Sequence, residues 1–404
     1  MSAAAAVVWI LFMWFMPDSG YDKYFTLSWA HTIIEKGVGH IYDNPEVNYP
    51  PLILYLIKFF TLFFPGKENL NMTSINQFKG LVYLFDLGML ILLFHWSKMT
   101  LKNWRTILMI WLNPALWYNT VIWGQYDAIP VFFICLASWL AWKGSIIPAS
   151  LAWTLALNAK LQSIIFLPPL ILFIWLYHKP KGRHWLFTAL SVAVLQLLLW
   201  MPFFLAGTWQ EAILAPWQRS IDFYHSASLH AYNIWYLTLP DDPYQTSDTL
   251  HFAGMTLRNW GLLFFAGLSA CLLWPMIRKR VKDPIDKEPA PETLLLTMAL
   301  IGFVFFFFNT QMHERYIQAS MWLLSGYVLF TRKYVAWLLL SLACLLNLEG
   351  VMHYMHYWNV HRFHFDTDVR AWWIFHPTLI AILYLLAGVI MFTSWFRTVY
   401  PDQK

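Results

Sequence analysis

Three ionisable residues in a row, His313, Glu314 and Arg315, stand inside the octapeptide NTQMHERY, directly after the apolar run FVFFFF. An arginine so placed can hold a phosphate through two parallel N–H bonds, with His313 as a second donor. The plainer alternative is an interfacial anchor, with Arg315 and Tyr316 reaching toward lipid headgroups. Lys160 closes an apolar run that begins at Ile146, and Gln162 follows it. Alone, Lys160 reads equally well as a snorkelling anchor; beside Arg315 it would complete a two-cation grip on one phosphate. A second set of residues is acidic. The stretch 17–51 holds Asp18, Asp22, Glu35, Asp43 and Glu46 against Lys23 and Lys36. Asp18 and Asp22 stand four apart, so on a helix they would share a face. One would then act as a base while the other raises its pKa or orients it; the alternative is a pair of solvated acids. The pentapeptide WGQYD adds Gln125 and Asp127. These suit sugar hydroxyls or the orientation of a cation, or else form a polar helix end under an interfacial Trp123. Tyr49 in NYPP, and His230 and Asn233 in HAYNIW, complete the polar clusters.

Two further groups read differently. Asp86 lies within an apolar stretch, where an acid is expensive and must face the interior of a bundle. Pairing with a neighbouring helix accounts for it better than a part in the site. His353, His356, His361, His364 and Asp366 are ligand types at close spacing. They fit no recognised zinc pattern, and aromatic residues intervene, so a loop lining a substrate groove is the preferred reading.

The elements that must position these residues are membrane helices. The chain has 404 residues, 59% hydrophobic and 12% charged, and its mean hydropathy is +0.49. A soluble domain carries about twice that share of charge, so the class is a polytopic membrane protein. The 25 Trp, 20 Tyr and 32 Phe belong in part to aromatic belts at the two interfaces. The net charge of +5 says less than its placement. Basic short loops at 97–105, 178–184, 278–287 and 331–333 fall on the cytoplasmic side by the positive-inside rule. Apolar runs near 3–16, 78–96, 106–122, 128–142, 146–160, 162–177, 185–206, 258–276, 293–308, 317–330, 334–348 and 374–394 predict an all-α fold. It has about twelve crossings, with both termini inside. The first run lacks a basic flank and a cleavage site, so it is read as a retained helix. The run 52–64 is short and opens with Pro50-Pro51; a crossing there would move 97–105 outside. It is therefore read as a re-entrant or interfacial helix on the outer side. Three larger outer segments follow, 17–77, 207–257 and 349–373, within one integral membrane domain. Cys135, Cys271 and Cys344 all lie in apolar runs and read as packing residues.

With this topology every polar cluster falls at the outer face. The basic loops set that face independently of the clusters, and scattered structural polar residues would occur on both sides. One-sided convergence indicates a single site at the outer leaflet.

An acid shortly after the first helix, then NYPPL, NPALWYNTVIWGQYD, NAKLQ, AYNIWYL and MHERY follow one another along the chain. This order resembles the bacterial mannosyltransferase-like branch of the type-C glycosyltransferases, the GT-C superfamily. It is similar in plan to the eukaryotic mannosyltransferases of glycosylphosphatidylinositol-anchor assembly. The likeness runs from about residue 17 to 316. It implies a GT-C-type membrane fold, a polyprenyl-phosphate-linked sugar donor, a hydroxyl acceptor reached from the non-cytoplasmic side, and inversion at the anomeric carbon. By the same likeness Asp18 corresponds to the family's loop acid, the base, with Asp22 as the alternative. His313, Glu314 and Arg315 correspond to its donor-side cluster, and Lys160 to its lysine at the membrane edge. The chain departs from the pattern in carrying two acids after the first helix and in having Tyr126 between Gln125 and Asp127.

The expected activity is transfer of a single sugar, mannose favoured, to a glycolipid, polysaccharide or protein. His313, Arg315 and Lys160 would hold the phosphate. Glu314, Gln125, Asp127, Tyr49, Gln162, His230 and Asn233 would contact substrate. One lipid phosphate carries less charge than a nucleotide diphosphate, so no cofactor is expected and a divalent metal is not favoured. Membrane lipid is a partner and nucleic acid is not. The expected location is a bacterial inner membrane, with the site facing the periplasm. Two rival classes share some of these features: a ligase or polymerase moving a preassembled glycan, and a transporter or flippase. Transporters usually place charge near the bilayer midplane within inverted repeats, and no repeat is visible in the sequence.

Overall fold

The computed structural model describes residues 3–16, 22–99, 103–219, 224–282, 290–354 and 373–400. Of the described residues, 78% are helical. Among the described residues, seven helices are long and apolar enough to cross a bilayer: Met72–Trp96, Leu161–His178, Gly182–Ala206, Leu257–Arg278, Pro291–Phe308, Val335–Met352 and Pro377–Val399. Shorter apolar helices cover Pro51–Thr61, Ala128–Trp142 and Ile146–Ala159. The fold is that of an all-α, multi-pass membrane protein. Proline stands in the first turn of the helices that begin at Pro51, Pro114, Pro291 and Pro377. The N–H that proline lacks has no helical partner there in any case.

The stretch 106–122, expected as one span, is broken. A helix covers Trp104–Trp111, a single turn covers Pro114–Trp117, and a π-helix covers Tyr118–Trp123. The cause is local. Pro114 cannot donate to the preceding turn, and the Asn113 side chain accepts the Ala115 N–H at 3.0 Å, which starts a new helix. Glu349, expected to open an outer segment, instead lies buried within Val335–Met352.

Pro291–Phe308 forms the centre of the bundle, with 72% of its span buried. It packs on Gln318–Thr331, Leu257–Lys282 and Pro377–Val399. Gly182–Ala206 is peripheral, with 6% buried. Its attachment is partly polar: Asn158 and Gln196 exchange amide hydrogen bonds at 2.8 and 3.0 Å, the Tyr55 hydroxyl donates to the Leu199 carbonyl, and buried Phe203 packs on Tyr42. Pro51–Thr61 buries Ile53, Leu54, Ile57 and Phe60 against Lys23–Lys36 and Ile146–Ala159. Asp86 is buried in Phe78–Trp96, with Thr120 and Trp322 as polar neighbours.

Candidate functional site

Lys160 is aimed by a break in its helix. Ile146–Ala159 stops where Lys160 becomes extended (φ −157°, ψ 127°), and a 3-10 turn follows over Leu161–Phe166. Trp153 Nε1 donates to the Ser163 carbonyl at 3.0 Å, and Ser163 Oγ to the Ala156 carbonyl at 3.0 Å, which lock that turn. The Lys160 ammonium is left paired with Asp127, and their side chains are only 12% and 6% exposed. It also lies 4.2 Å from the centre of the Tyr316 ring. Burial opposes the charge on Asp127, but Lys160 and Arg315 outweigh it and hold the carboxyl below its ordinary pKa. Lys160 is pushed down by burial and by Arg315, against the pull of Asp127.

Arg315 is aimed by the turn that precedes it. Gln311 has φ 59°, and its side chain donates to Asp248 at 2.7 Å. Asp248 is fully buried and takes two bonds from Arg258, at 2.9 and 3.3 Å. The Leu229 N–H donates to the Met312 carbonyl at 2.9 Å. The segment 224–257 thus grips the turn, and the 3-10 helix Glu314–Ile317 carries Arg315 into the site. Arg315 Nη1 donates to Glu314 Oε1 at 3.0 Å, while Nε lies 3.8 Å from Asp127 Oδ2. The guanidinium sits 5.3 Å from the Trp123 ring centre and 5.7 Å from that of Tyr316. Burial works against ionisation of Glu314, yet the His313 ring and Arg315 bring its pKa down to about 2. His313 is pushed down by burial and by Arg315.

One turn of π-helix holds three carboxylates. Asn119 Nδ2 donates to Asp127 at 3.0 Å, Trp123 Nε1 to Asp22 at 3.0 Å, and the Tyr118 hydroxyl to Glu349. Single π-turns recur at functional sites. Gly124, at φ 81°, turns the chain back so that Gln125 also donates to Asp22. Asp22 precedes Lys23–Lys36 without capping it; its carboxylate is turned to the π-helix instead. Trp123 is therefore shared: its N–H binds Asp22, and its ring face meets Arg315. The buried Lys79 ammonium donates to the Val121 carbonyl at 3.0 Å and to the Met16 carbonyl, tying the π-turn to the end of Ala3–Phe15.

Beside these charges lies a narrow cleft, part of it open to the outside. Asp127, Lys160, Gln162, Arg315 and Tyr316 line its polar end; Val131, Ile134, Phe166, Gly302 and Phe305 line the rest. A concave, largely apolar surface with a few convergent polar groups is a common form of a ligand site.

The structure brings together Asp22, Gln125, Asp127, Lys160, Gln162, His313, Glu314 and Arg315. Tyr49 adjoins them, its ring 5.2 Å from that of Tyr126; burial, then the Asp127 charge, push its hydroxyl pKa up. Asp127 orients a cation, one of the two roles expected of it, and Gln125 orients Asp22. The side chains of His230 and Asn233 have other partners, while the His230 backbone pairs with His313. His230 stacks on Tyr244 at 4.2 Å, and the fully buried Asn233 donates to the Phe306 and Asn309 carbonyls at 3.3 and 3.2 Å. Asp18, His356, His361, His364 and Asp366 lie outside the described residues. Asn119, Lys79 and the pair Tyr118–Glu349 escaped the reading of the sequence. An asparagine, a lysine and a tyrosine at the ends of apolar runs carry no signal without the π-turn that joins them. No protein-family model matches the chain, and no curated protein matches it.

Proposed function

We propose that the protein is a glycosyltransferase. It moves one sugar, mannose favoured, from a polyprenyl-phosphate-sugar to a hydroxyl acceptor at the non-cytoplasmic face of a membrane, with inversion. The observation that carries this reading is a pair of cations, Lys160 and Arg315, lining a cleft whose walls are mostly apolar. A lipid phosphate has the same division into anionic head and apolar chain. The likeness to GT-C enzymes over 17–316 supports the same donor. If the five shorter apolar stretches beginning at 3, 104, 128, 146 and 318 also cross, the fold makes about twelve crossings.

In the reaction, the acceptor oxygen attacks the anomeric carbon as the bond from that carbon to the phosphate oxygen breaks. The electron pair leaves with the phosphate, and Arg315 and Lys160 stabilise the growing charge. The acceptor's proton passes to a carboxylate of the first outer segment, Asp18 or Asp22. Asp22 is joined to Arg315 through the two sides of Trp123. In this reading Trp123 anchors both the base and the phosphate grip. Glu314 fixes Arg315, and the loop 224–257 fixes the turn that carries both.

The test is transfer of label from polyprenyl-phosphate-mannose by purified protein, with lipid extract as acceptor, for wild type, Asp18→Asn and Asp22→Asn. Transfer is expected with wild type, unchanged by EDTA, and lost in one of the two variants while both remain folded. Transfer by both variants at the wild-type rate would remove the first-segment base. Absence of transfer from any polyprenyl-phosphate sugar, with the label carried across the membrane instead, would replace the enzyme with a transporter.

A further inference from the structure

We propose that Asp127 is an internal stand-in for the substrate's phosphate, occupying the two-cation site when the cleft is empty and competing with the lipid phosphate for it. The inference rests on the phosphate-binding role proposed for Lys160 and Arg315. Two cations that close, with side chains only 12% and 14% exposed, repel each other unless an anion lies between them. Asp127 is that anion. Its Oδ1 takes Lys160, and its Oδ2 faces Arg315 Nε at 3.8 Å.

The fit to Arg315 is incomplete in an informative way. At 3.8 Å Asp127 neutralises the guanidinium without a hydrogen bond, and the buried Arg315 Nε has no hydrogen-bond partner among the described residues. The Nη1 edge is taken by Glu314. Nε is thus a donor left for an incoming oxygen. Asp127 also has a position to keep when Lys160 turns to a phosphate, because Asn119 holds its Oδ2 at 3.0 Å. The carboxylate is placed to weaken binding of the donor and, equally, of the lipid-phosphate product. This lets the product leave a site that would otherwise hold it.

The experiment measures binding of farnesyl phosphate to the purified full-length protein in lipid nanodiscs, with farnesol and inorganic phosphate alongside. Asp127→Asn keeps the shape and the Asn119 neighbour but removes the charge. It should bind farnesyl phosphate at least about tenfold tighter, since an anion a few ångströms from the ligand's own charge is gone. Inorganic phosphate should tighten likewise, and farnesol should not change. In the transfer assay KM and kcat should fall together, a result that mere loosening of the fold does not give. Should Asp127→Asn alone fold poorly, Lys160→Met and the double variant replace it. The double, which leaves no lone charge of the pair, should bind farnesyl phosphate more tightly than Lys160→Met. Equal or weaker binding on removing Asp127, while Arg315→Met still abolishes binding, overturns the stand-in and leaves the phosphate site intact. Farnesyl phosphate binding that is indifferent to both Lys160→Met and Arg315→Met overturns the phosphate site itself, and this inference with it.

Discussion

Arg315→Lys separates the charge of the site from its geometry. The ammonium keeps the positive charge. It loses the planar fork that meets Glu314 at 3.0 Å and leaves Nε free, and it loses the stacking between Trp123 and Tyr316 at 5.3 and 5.7 Å. A charge-assisted hydrogen bond at a buried site contributes roughly 1.5–3 kcal/mol, and a partly desolvated cation–π contact about 0.5–2 kcal/mol. Not all of this is specific to the transition state, so a loss of about 2–4 kcal/mol in transition-state stabilisation is expected, roughly 30- to 1000-fold in kcat/KM. Most of it should fall on kcat, because the phosphate's leaving charge grows only as the bond breaks. The assay is steady-state transfer from labelled polyprenyl-phosphate-mannose at several donor concentrations. Thermal unfolding is measured alongside. Arg315→Met should also lower stability, by about 3–5 kcal/mol, because the buried Glu314 is then left without its partner. Arg315→Lys acting within threefold of wild type would refute the argument: a point charge would then suffice, and the fork would have no role.

Glu314 predicts a pH dependence of stability. Its folded-state pKa of about 2 lies below the ordinary 4.5, so its contribution is full above about pH 4.5 and is lost as pH falls toward 2. It amounts to on the order of 3 kcal/mol. The gap between wild type and Glu314→Gln in thermal unfolding should therefore shrink over that window, and parallel curves would contradict it. Gly302 gauges the cleft: a Cβ there would meet the Phe166 ring at 3.3 Å and the Ser320 nitrogen at 3.5 Å. Gly302→Leu should raise KM for the lipid donor about tenfold or more, and an unchanged KM would place the lipid chain elsewhere. For the clasp of Asn158 and Gln196, a double-mutant cycle to leucine should give a coupling of about 0.6 kcal/mol, and at most about 1.7. A coupling of zero would mean that packing alone holds Gly182–Ala206.

The membrane class and most helices were legible from composition and apolar runs, because burial in lipid imposes one demand on every residue of a span. The run around 78–96 was found almost to the residue, since its ends are marked by Gln77 and Ser97. The run 106–122 misled for the same reason: hydropathy counts apolar residues and does not register that Asn113-Pro114 restarts the helix or that a π-turn follows. In the candidate site, the ionisable residues were legible as exceptions within apolar sequence, and the meeting of Lys160 with Arg315 was expected from their types. Their common partner was not. Asp127 was one of two polar residues in WGQYD with two roles open, and its pairing with Lys160 is visible only in the structure. His230 and Asn233 carried the same polar signal as the site residues. Their surroundings differ, with the His230 ring stacked on Tyr244 and Asn233 fully buried, and neither fact shows in a sequence.

The π-turn explains why so polar an assembly can be built on so apolar a chain. Buried carboxylates need donors, and each donor must itself be fixed or the gain is lost to side-chain entropy. A loop would supply flexible donors, whereas a single wide turn between the short helix at Pro114 and the Gly124 reversal supplies Tyr118, Asn119 and Trp123 from one rigid body. Each reaches a different carboxylate, on Glu349, Asp127 and Asp22, and these come from three separate parts of the chain. The turn thus fixes the relative positions of a first-segment acid, the anion between the two cations, and the final third of the bundle. Lys79 secures the turn in place by binding the Val121 carbonyl. Displacement of reacting groups by about 1 Å can lower a rate a hundredfold. The proposed transfer would therefore depend on Trp123, which holds Asp22 at its N–H and Arg315 at its ring face.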